Sequence, residues 1–308
     1  MNHPLSRREF LWSATTAAVS FSASGAEKER NSPVLVDTHL HCFAGKNDAR
    51  FPYHPRGPYQ PAEAATPEHL LKCMDGAGVA HAIVVHPEPY QDDHRYLEHC
   101  LAVGKGRLKG TALVFCNRPG SMEKLPDLVK RMPIVAARVH AYAPDRLPPF
   151  GKPELRQLWK LAGDLGIAMQ LHFEPRHAPG FEPLIKDFSQ TTVIIDHLGR
   201  PLQGTPEEHE VVVKWSRFKN TIMKISSLAA TTTYPHRDIG PIIKRLTEAY
   251  GAERLIYGGG FGADATPQSY RAAFEKARGY LANMSAGDQA KVLGGNAMRL
   301  FGLGMAGR

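Results

Sequence analysis

Short apolar runs alternate with amphipathic stretches along most of the chain. The apolar runs are rich in Val, Ile, Leu and Ala, as strands buried on both faces are, and they predict strands at 34–41, 81–87, 109–115, 134–141, 168–173, 192–198, 221–228 and 254–260. A helical pattern follows each run, at 66–77, 92–104, 120–131, 153–165, 180–189, 207–218, 238–250 and 267–283. Eight strand–helix units in a single domain predict an α/β fold, a (β/α)8 TIM barrel over residues 33–308. An open doubly wound sheet is the alternative, but no Gly-x-Gly-x-x-Gly motif follows an early strand.

The first 32 residues differ in composition from the rest. Ser6-Arg7-Arg8-Glu9-Phe10-Leu11 precedes a modestly apolar stretch and the small residues Ser24-Gly25-Ala26. This order is typical of a cleavable signal segment, and the paired arginines resemble the twin-arginine type. A membrane anchor is the alternative, but the apolar run is roughly half of the ~20 residues that a span needs. We therefore expect a periplasmic or secreted product with residues 1–32 outside the barrel and no stable membrane span after processing.

The chain of 308 residues carries a formal net charge of +8. A positive charge favours acidic partners, and the lack of long Lys/Arg blocks argues against nucleic acid, so we expect a small anionic substrate. A basic surface without function is the alternative. None of the four cysteines lies in a Cys-x-x-Cys pair, which argues against a zinc ribbon. Free buried thiols are the favoured state, and Cys73 with Cys100 is the pair that the sequence best places for a disulfide.

Polar side chains recur where the predicted strands end. His39 and His41 close the first strand two residues apart, so both should share one face. Later strands end in Arg138 and His140, His172, Asp196 and His197, and Ser226 with Ser227. A single strand-end histidine is usually structural, but five in one barrel would face one cavity, where barrels keep their chemistry. Converging imidazoles suit a divalent cation or a proton transfer.

Several segments, in order along the chain, resemble the amidohydrolase-related metal-dependent hydrolases. They are Asp37-Thr38-His39-Leu40-His41, the strand-end His172, Asp196-His197-Leu198-Gly199-Arg200-Pro201 and Gly294-Gly295-Asn296-Ala297-Met298-Arg299-Leu300-Phe301. Within that family, Phe51-Pro52-Tyr53-His54-Pro55 with Tyr59-Gln60-Pro61 is similar to the lactone hydrolases that act on 2-pyrone-4,6-dicarboxylate and related lactones. The resemblance implies a hydrolase that opens a lactone of a carboxylated or sugar-derived small molecule. Non-oxidative decarboxylation, which the family also performs, is the alternative, and a homodimer is a further expectation.

The resemblance also implies a cofactor. His39, His41 and His172 match positions that hold a metal in the zinc-containing members. A divalent metal, with zinc as the first choice, is therefore expected, in which case a metal-activated water attacks the ring carbonyl. The 2-pyrone-4,6-dicarboxylate hydrolases themselves work without a metal, and they carry a residue other than histidine where this chain has His172.

Substrate-binding roles follow from the same resemblance. His197 matches a histidine that assists catalysis or polarises the substrate carbonyl. Arg138 and Arg200 are placed to receive a carboxylate, which a guanidinium binds through two parallel hydrogen bonds. The expected substrate-binding set is completed by His140, Tyr59 and Ser226.

The end of the eighth strand departs from the family pattern. The family has Gly-Ser-Asp or Gly-Thr-Asp there, whereas this chain has Gly258-Gly259-Gly260. Gly260 thus replaces the Asp that normally takes the proton from the attacking water. Asp264, four residues further on, is one substitute, and Asp196 or His197 is another. A catalytically inactive exported relative is the remaining alternative.

Overall fold

The computed structural model describes residues 33–228 and 238–304. Within them eight parallel strands form one sheet in the order of the sequence. The strands are β1 Leu35–Leu40, β2 Val79–Val85, β3 Leu108–Leu113, β4 Ile134–Ala141, β5 Ala168–Phe173, β6 Val193–Ile195, β7 Thr221–Ser226 and β8 Leu255–Gly258. The predicted (β/α)8 barrel is confirmed. The expected signal segment, residues 1–32, lies outside the described residues.

Helices alternate with the strands and end in two short helices at the carboxyl terminus. They are α1 Pro67–Ala77, α2 Arg95–Val103, α3 Leu125–Arg131, α4 Pro153–Asp164, α5 Ala178–Asp187, α6 Pro206–Lys214, α7 Gly240–Tyr250, α8 Pro267–Tyr280, α9 Ala286–Ala290 and α10 Asn296–Leu300. Several begin with the signals read in the sequence: a proline in the first turn and a threonine cap, as where the side chain of Thr66 accepts from the backbone N–H of His69. In the described residues, no helix has both the length and the apolar character that a membrane crossing requires.

β1 and β8 meet where the barrel closes. The hydroxyl of Thr38 donates to the carbonyl of Tyr257 at 2.7 Å, and the backbone N–H of Gly259 donates to Asp37 Oδ1 at 2.8 Å. A Cβ atom on Gly258 would lie 2.4 Å from the backbone nitrogen of His39. Only glycine permits this approach, so the glycine run has a structural role in bringing β8 against β1.

Two apolar layers position the site. One layer lies between the sheet and the helices. The other fills the inside of the barrel near the amino ends of the strands, where Phe301 packs against Val36, Ile83, Ile194 and Ile256. The amino ends of the strands are therefore plugged by side chains, and the polar residues collect at the carboxyl ends.

Several strands end earlier than predicted, and the differences at β6 and β8 affect the site. β6 stops at Ile195 rather than 198, because four successive residues from His197 to Arg200 have φ of 53°, 60°, 70° and 56°. β8 stops at Gly258 rather than 260, because Gly259 and Gly260 have φ of 127° and 106°. Positive φ breaks the extended conformation, so neither segment continues the sheet.

The cysteines are all buried and free. Cys73 contacts the carbonyl of Ala265 at 3.5 Å, whereas Cys100 lies beside Cys42 and raises the pKa of that thiol well above its usual value. The pair that the sequence favoured, Cys73 with Cys100, is therefore wrong as a neighbouring pair. The sequence could not show that Cys42, at the end of β1, faces α2.

Candidate active site

A cavity of about 370 Å³ opens at the carboxyl ends of the strands. Nine predicted site residues line it: His39, His41, Tyr59, Arg138, His140, His172, His197, Arg200 and Ser226. Asp196 is not at the cavity wall but is buried among residues that are. Asp264 is exposed and does not belong to the lining. The structure therefore brings together every predicted site residue except Asp264.

The two histidines of β1 have different partners. His41 Nδ1 lies 2.7 Å from the carbonyl of Val85, which can only accept, so Nδ1 carries the proton and Nε2 keeps its lone pair. Burial, followed by the charge of Arg138, lowers the pKa of His41 to about 4. His39 Nε2 is buried and has no hydrogen-bond partner among the described residues. Burial also lowers the pKa of His39 well below its usual value, so both rings are neutral near pH 7.

A buried cluster of charges lies beside the cavity. Asp196 Oδ2 accepts from Arg138 Nε and from Gln170 Nε2, each at 3.0 Å, and Asp196 Oδ1 lies 3.1 Å from Lys224 Nζ. Burial alone would raise the pKa of Asp196, but the charges of Lys224 and Arg138 outweigh it and hold that pKa well below its usual value. Asp196 is thus a permanent anion with two cationic partners, which makes it a poor proton acceptor.

The left-handed turn after β6 carries His197 into the cavity. Ser226 Oγ accepts from the backbone N–H of His197 at 3.1 Å and lies 2.8 Å from its Nδ1, and Ser227 Oγ lies 2.7 Å from the same nitrogen. Consecutive positive φ angles in His197 and Leu198 are costly for residues with side chains. Such backbone strain concentrates at functional sites, so we interpret this turn as a device that fixes the ring of His197.

His172, at the end of β5, lies between two polar partners. Its Nε2 is 2.8 Å from the hydroxyl of Tyr142 and 3.2 Å from Arg200 NH1. A guanidinium can only donate, so Nε2 accepts and Nδ1 carries the proton. Arg200 is half-buried and lines the cavity, where part of its guanidinium remains available to a ligand.

Glu88 is a cavity residue that the sequence reasoning missed. Its Oε1 lies 2.8 Å from His140 Nδ1, and both its oxygens accept from Arg146 NH1, at 2.8 and 2.7 Å. Glu88 directly follows the second predicted strand, 81–87. The expectation that polar residues at the carboxyl ends of strands line the site therefore applies to Glu88 as it does to the histidines.

Lys224 is the second residue that was missed. It lies inside β7, and its side chain is fully buried. Besides Asp196, its ammonium contacts His39 Nδ1 at 3.3 Å. The sequence does single out Lys224, because it is the one charged residue in the predicted strand 221–228.

Within the described ranges, the segment after β8 contributes no carboxylate to the cavity lining. A Cβ atom on Gly260 would lie 2.5 Å from Ala273 Cβ. The nearby carboxylate of Asp37 is engaged elsewhere, since Oδ1 accepts from Gly259 and His39 and Oδ2 from the hydroxyl of Tyr270 at 2.8 Å. Glu88 is therefore the only carboxylate residue in the lining of the cavity within the described ranges.

Three buried side chains could together hold a metal ion. The donor atoms of His39, Asp196 and His197 lie within 4.8 Å of one another. Two imidazoles and a carboxylate suit zinc, and His39 Nδ1 lies 3.4 Å from Asp196 Oδ1, so both atoms can face the same ion. The donor set fits a divalent ion, although Lys224 already contacts two of its members. His41 and His172 are outside this group.

The fold and cavity define a barrel enzyme with a polar site at the carboxyl ends of its strands. The amidohydrolase family model matches residues 36–303, so the chain belongs to that family. It is a hydrolase of the subgroup that resembles the 2-pyrone-4,6-dicarboxylate hydrolases.

Three relatives illustrate the similarity. The 2-pyrone-4,6-dicarboxylate hydrolase of Comamonas testosteroni is 27% identical over 239 residues, which cover 72% of this chain and 75% of the relative. The second is an Acinetobacter baumannii protein, described as a probable 2-pyrone-4,6-dicarboxylic acid hydrolase and solved with citric acid bound. It is 20% identical to this chain with a TM-score of 0.69, and the match covers 87% of this chain and 99% of that protein. An amidohydrolase from Burkholderia multivorans with bound zinc is 15% identical with a TM-score of 0.69, covering 88% and 100%.

Proposed function

We propose that this chain opens a lactone of a carboxylated or sugar-derived small molecule. The main support for this proposal is the lining of the cavity. Neutral imidazoles converge there beside the cationic groups of Arg200 and Lys276. Such a lining attracts an anionic substrate and offers several groups that can donate or accept protons. The hydrolase activity of the Comamonas relative supports the choice of a lactone.

Arg200 and His197 have separate tasks in this proposal. Arg200 receives a carboxylate of the substrate, because its guanidinium lies at the cavity wall rather than in a buried ion pair. His197 faces the lactone carbonyl, and its ring is fixed by the hydroxyls of Ser226 and Ser227. A donor that is already oriented stabilises the oxyanion that develops when water attacks the carbonyl.

Proton removal from water is assigned to His140. Burial lowers the pKa of His140, as does the charge of Arg138, but Glu88 opposes both effects by its hydrogen bond and its charge. A carboxylate that orients an imidazole and stabilises its protonated form is the usual arrangement for a histidine base. This pair replaces the strand-eight carboxylate that Gly260 removes.

Zinc is the ion that we propose for the donor set. His39, Asp196 and His197 would hold it, and the ion would then replace His197 as the group that polarises the carbonyl. The predicted set of His39, His41 and His172 is the alternative arrangement, in which His197 keeps its role at the carbonyl. A bound zinc supplies a Lewis acid and lowers the pKa of a water molecule. The zinc-bound Burkholderia structure supports this choice by fold alone.

The experiment is turnover of a lactone panel by the purified full chain, with and without added zinc. The panel contains 2-pyrone-4,6-dicarboxylate, muconate lactones and sugar lactones, and ring opening is followed by acid release. We expect at least one substrate to be opened faster than by a His39→Ala/His41→Ala variant. Turnover no faster than that variant across the panel contradicts the proposal, and release of carbon dioxide without ring opening would indicate the decarboxylase alternative.

We also propose export by the twin-arginine route. The paired Arg7 and Arg8 before a short apolar run support it. In a bacterial host, the wild-type chain should reach the periplasm and an Arg7→Lys/Arg8→Lys variant should remain inside. Equal distribution of both would contradict this route.

A further inference from the structure

Lys224 places a positive charge inside the barrel without access to water. Its ammonium is 3.1 Å from Asp196 Oδ1 and 3.3 Å from His39 Nδ1. An ammonium has protons to donate and no lone pair, so it donates a hydrogen bond to His39 Nδ1 and forms an ion pair with Asp196 Oδ1. Asp196 and His39 are two of the three members of the candidate metal group.

The rest of the surroundings adds to the positive charge. Arg138 NH2 lies 2.9 Å from Asp196 Oδ2, so the carboxylate already contacts two cations. A divalent ion bound to Asp196 Oδ1 and His39 Nδ1 would have to share these atoms with the ammonium or displace it. Repulsion between such close charges is strong in a buried, poorly screened position.

We propose that Lys224 is the resident cation of this centre and that its ammonium competes with a divalent metal for Asp196 and His39. Lys224 thereby lowers the affinity of the donor set for zinc. Zinc could therefore bind to the existing ligands if the side chain of Lys224 moved away from them. The inference concerns the same site as the proposed function, but zinc binding is measured without a substrate, so the two can fail separately.

The test compares zinc affinity in the wild-type full chain and in Lys224→Met, by competition with a chelating indicator. Met keeps an unbranched side chain of similar length without the charge, and Asp196 keeps its contacts with Arg138 and Gln170. We expect Lys224→Met to bind zinc at least about tenfold more tightly, because the competing charge is gone. In Lys224→Met/His39→Ala the gain should disappear, which would locate the ion at this donor set.

Lys276→Met is the matched control. Lys276 also lines the cavity, but it is exposed and lies outside the group of His39, Asp196 and His197. Its removal therefore lowers the charge of the cavity without freeing a metal donor. We expect its zinc affinity to stay within about twofold of wild type, since exposed charges are screened. An equal gain in both variants would overturn the proposal, because it would reflect net charge alone.

Two further results would also overturn it. One is equal zinc affinity in wild type and Lys224→Met, and the other is a wild-type chain that keeps one zinc through dialysis against a chelator. If Lys224→Met does not fold, as judged by circular dichroism, Lys224→Gln replaces it. If neither variant folds, the dialysis result decides, since zinc loss from the wild type supports the competition and zinc retention contradicts it.

Discussion

Glu88 Oε1 lies 2.8 Å from His140 Nδ1 at the cavity wall, and the two residues come from the ends of different strands. Burial would raise the pKa of Glu88, but the hydrogen bonds and charges of His140 and Arg146 lower it to about 2. Glu88 is therefore ionised under ordinary conditions, and it favours the protonated form of His140. The pair therefore gives the site an anion on the side of the barrel away from β8. At the end of β8 itself, Gly260 replaces the carboxylate that the family usually has.

Replacing Glu88 by Gln should therefore affect the reaction more than substrate binding. We expect Glu88→Gln to lower kcat by at least roughly tenfold with a smaller change in KM, because His140 loses the carboxylate that supports its protonated form. Glu63→Gln is the control, since Glu63 is exposed in the loop before α1 and lies outside the cavity lining. A rise in KM with kcat unchanged would indicate instead that Glu88 only shapes the binding site.

The two cavity arginines should respond differently to substitution. Arg138 is buried and paired with Asp196, so Arg138→Met removes a partner from a buried anion and should cost about 3–5 kcal/mol of unfolding free energy. Arg200 is half-buried and its visible partners are neutral, so Arg200→Met should raise KM with little loss of stability.

Denaturant unfolding and steady-state kinetics on both variants measure this contrast. If Arg138→Met is as stable as wild type, the ion pair with Asp196 is not structural. If Arg200→Met leaves KM unchanged, the substrate carboxylate binds elsewhere in the cavity.

Most of the barrel could be predicted because buried parallel strands leave a local signal in the sequence. The bounds of β4 and β5 were predicted to the residue, since each is a mostly apolar run with its polar site residues near the carboxyl end. The ends of β6 and β8 were missed, because the backbone takes positive φ angles just beyond them, at His197 and at Gly260. A residue such as His197 gives no sequence warning of a positive φ.

The site was predicted as a set of residues but not as a set of partners. The carboxyl-end rule brought the histidines together correctly, and the family resemblance added Arg200. It could not show that Arg138 and Lys224 share Asp196, because pairing depends on the stagger of strands that are far apart in sequence. Whether His41 and His172 ligate a metal stays a prediction.

Acid should destabilise the fold through its buried neutral histidines. Burial lowers the pKa of His94 from 6.5 to about 4, and its Nε2 lies 3.1 Å from the carbonyl of Leu113. Between these pH values the unfolded chain binds a proton that the folded chain does not, so the contribution is complete above pH 6.5 and is lost as pH falls toward 4. The full loss from this residue is roughly 3 kcal/mol.

Urea unfolding at pH 7 and at pH 4.5 measures this effect. The wild-type chain should lose stability between the two, and His94→Gln should lose less, because one of the groups that takes up a proton on unfolding is gone. An identical pH dependence in both proteins would mean that His94 is protonated in the folded state.

Restoring the missing side chain at the end of β8 should not be tolerated. Gly260 has φ of 106°, and a Cβ there would lie 2.5 Å from Ala273 Cβ. Gly260→Ala should therefore destabilise the protein by about 1–3 kcal/mol. Gly279→Ala is the control, because Gly279 lies in α8 with no atom within 4 Å of its Cβ position, and there the exchange should be neutral or stabilising.

Thermal unfolding of the two variants decides the matter, and Gly260→Asp extends it to activity. We expect Gly260→Asp to gain no turnover, because the loop would have to rebuild before the carboxylate could reach the cavity. A stable Gly260→Asp chain with raised activity would show instead that the family's own base position is intact and merely lacks its side chain.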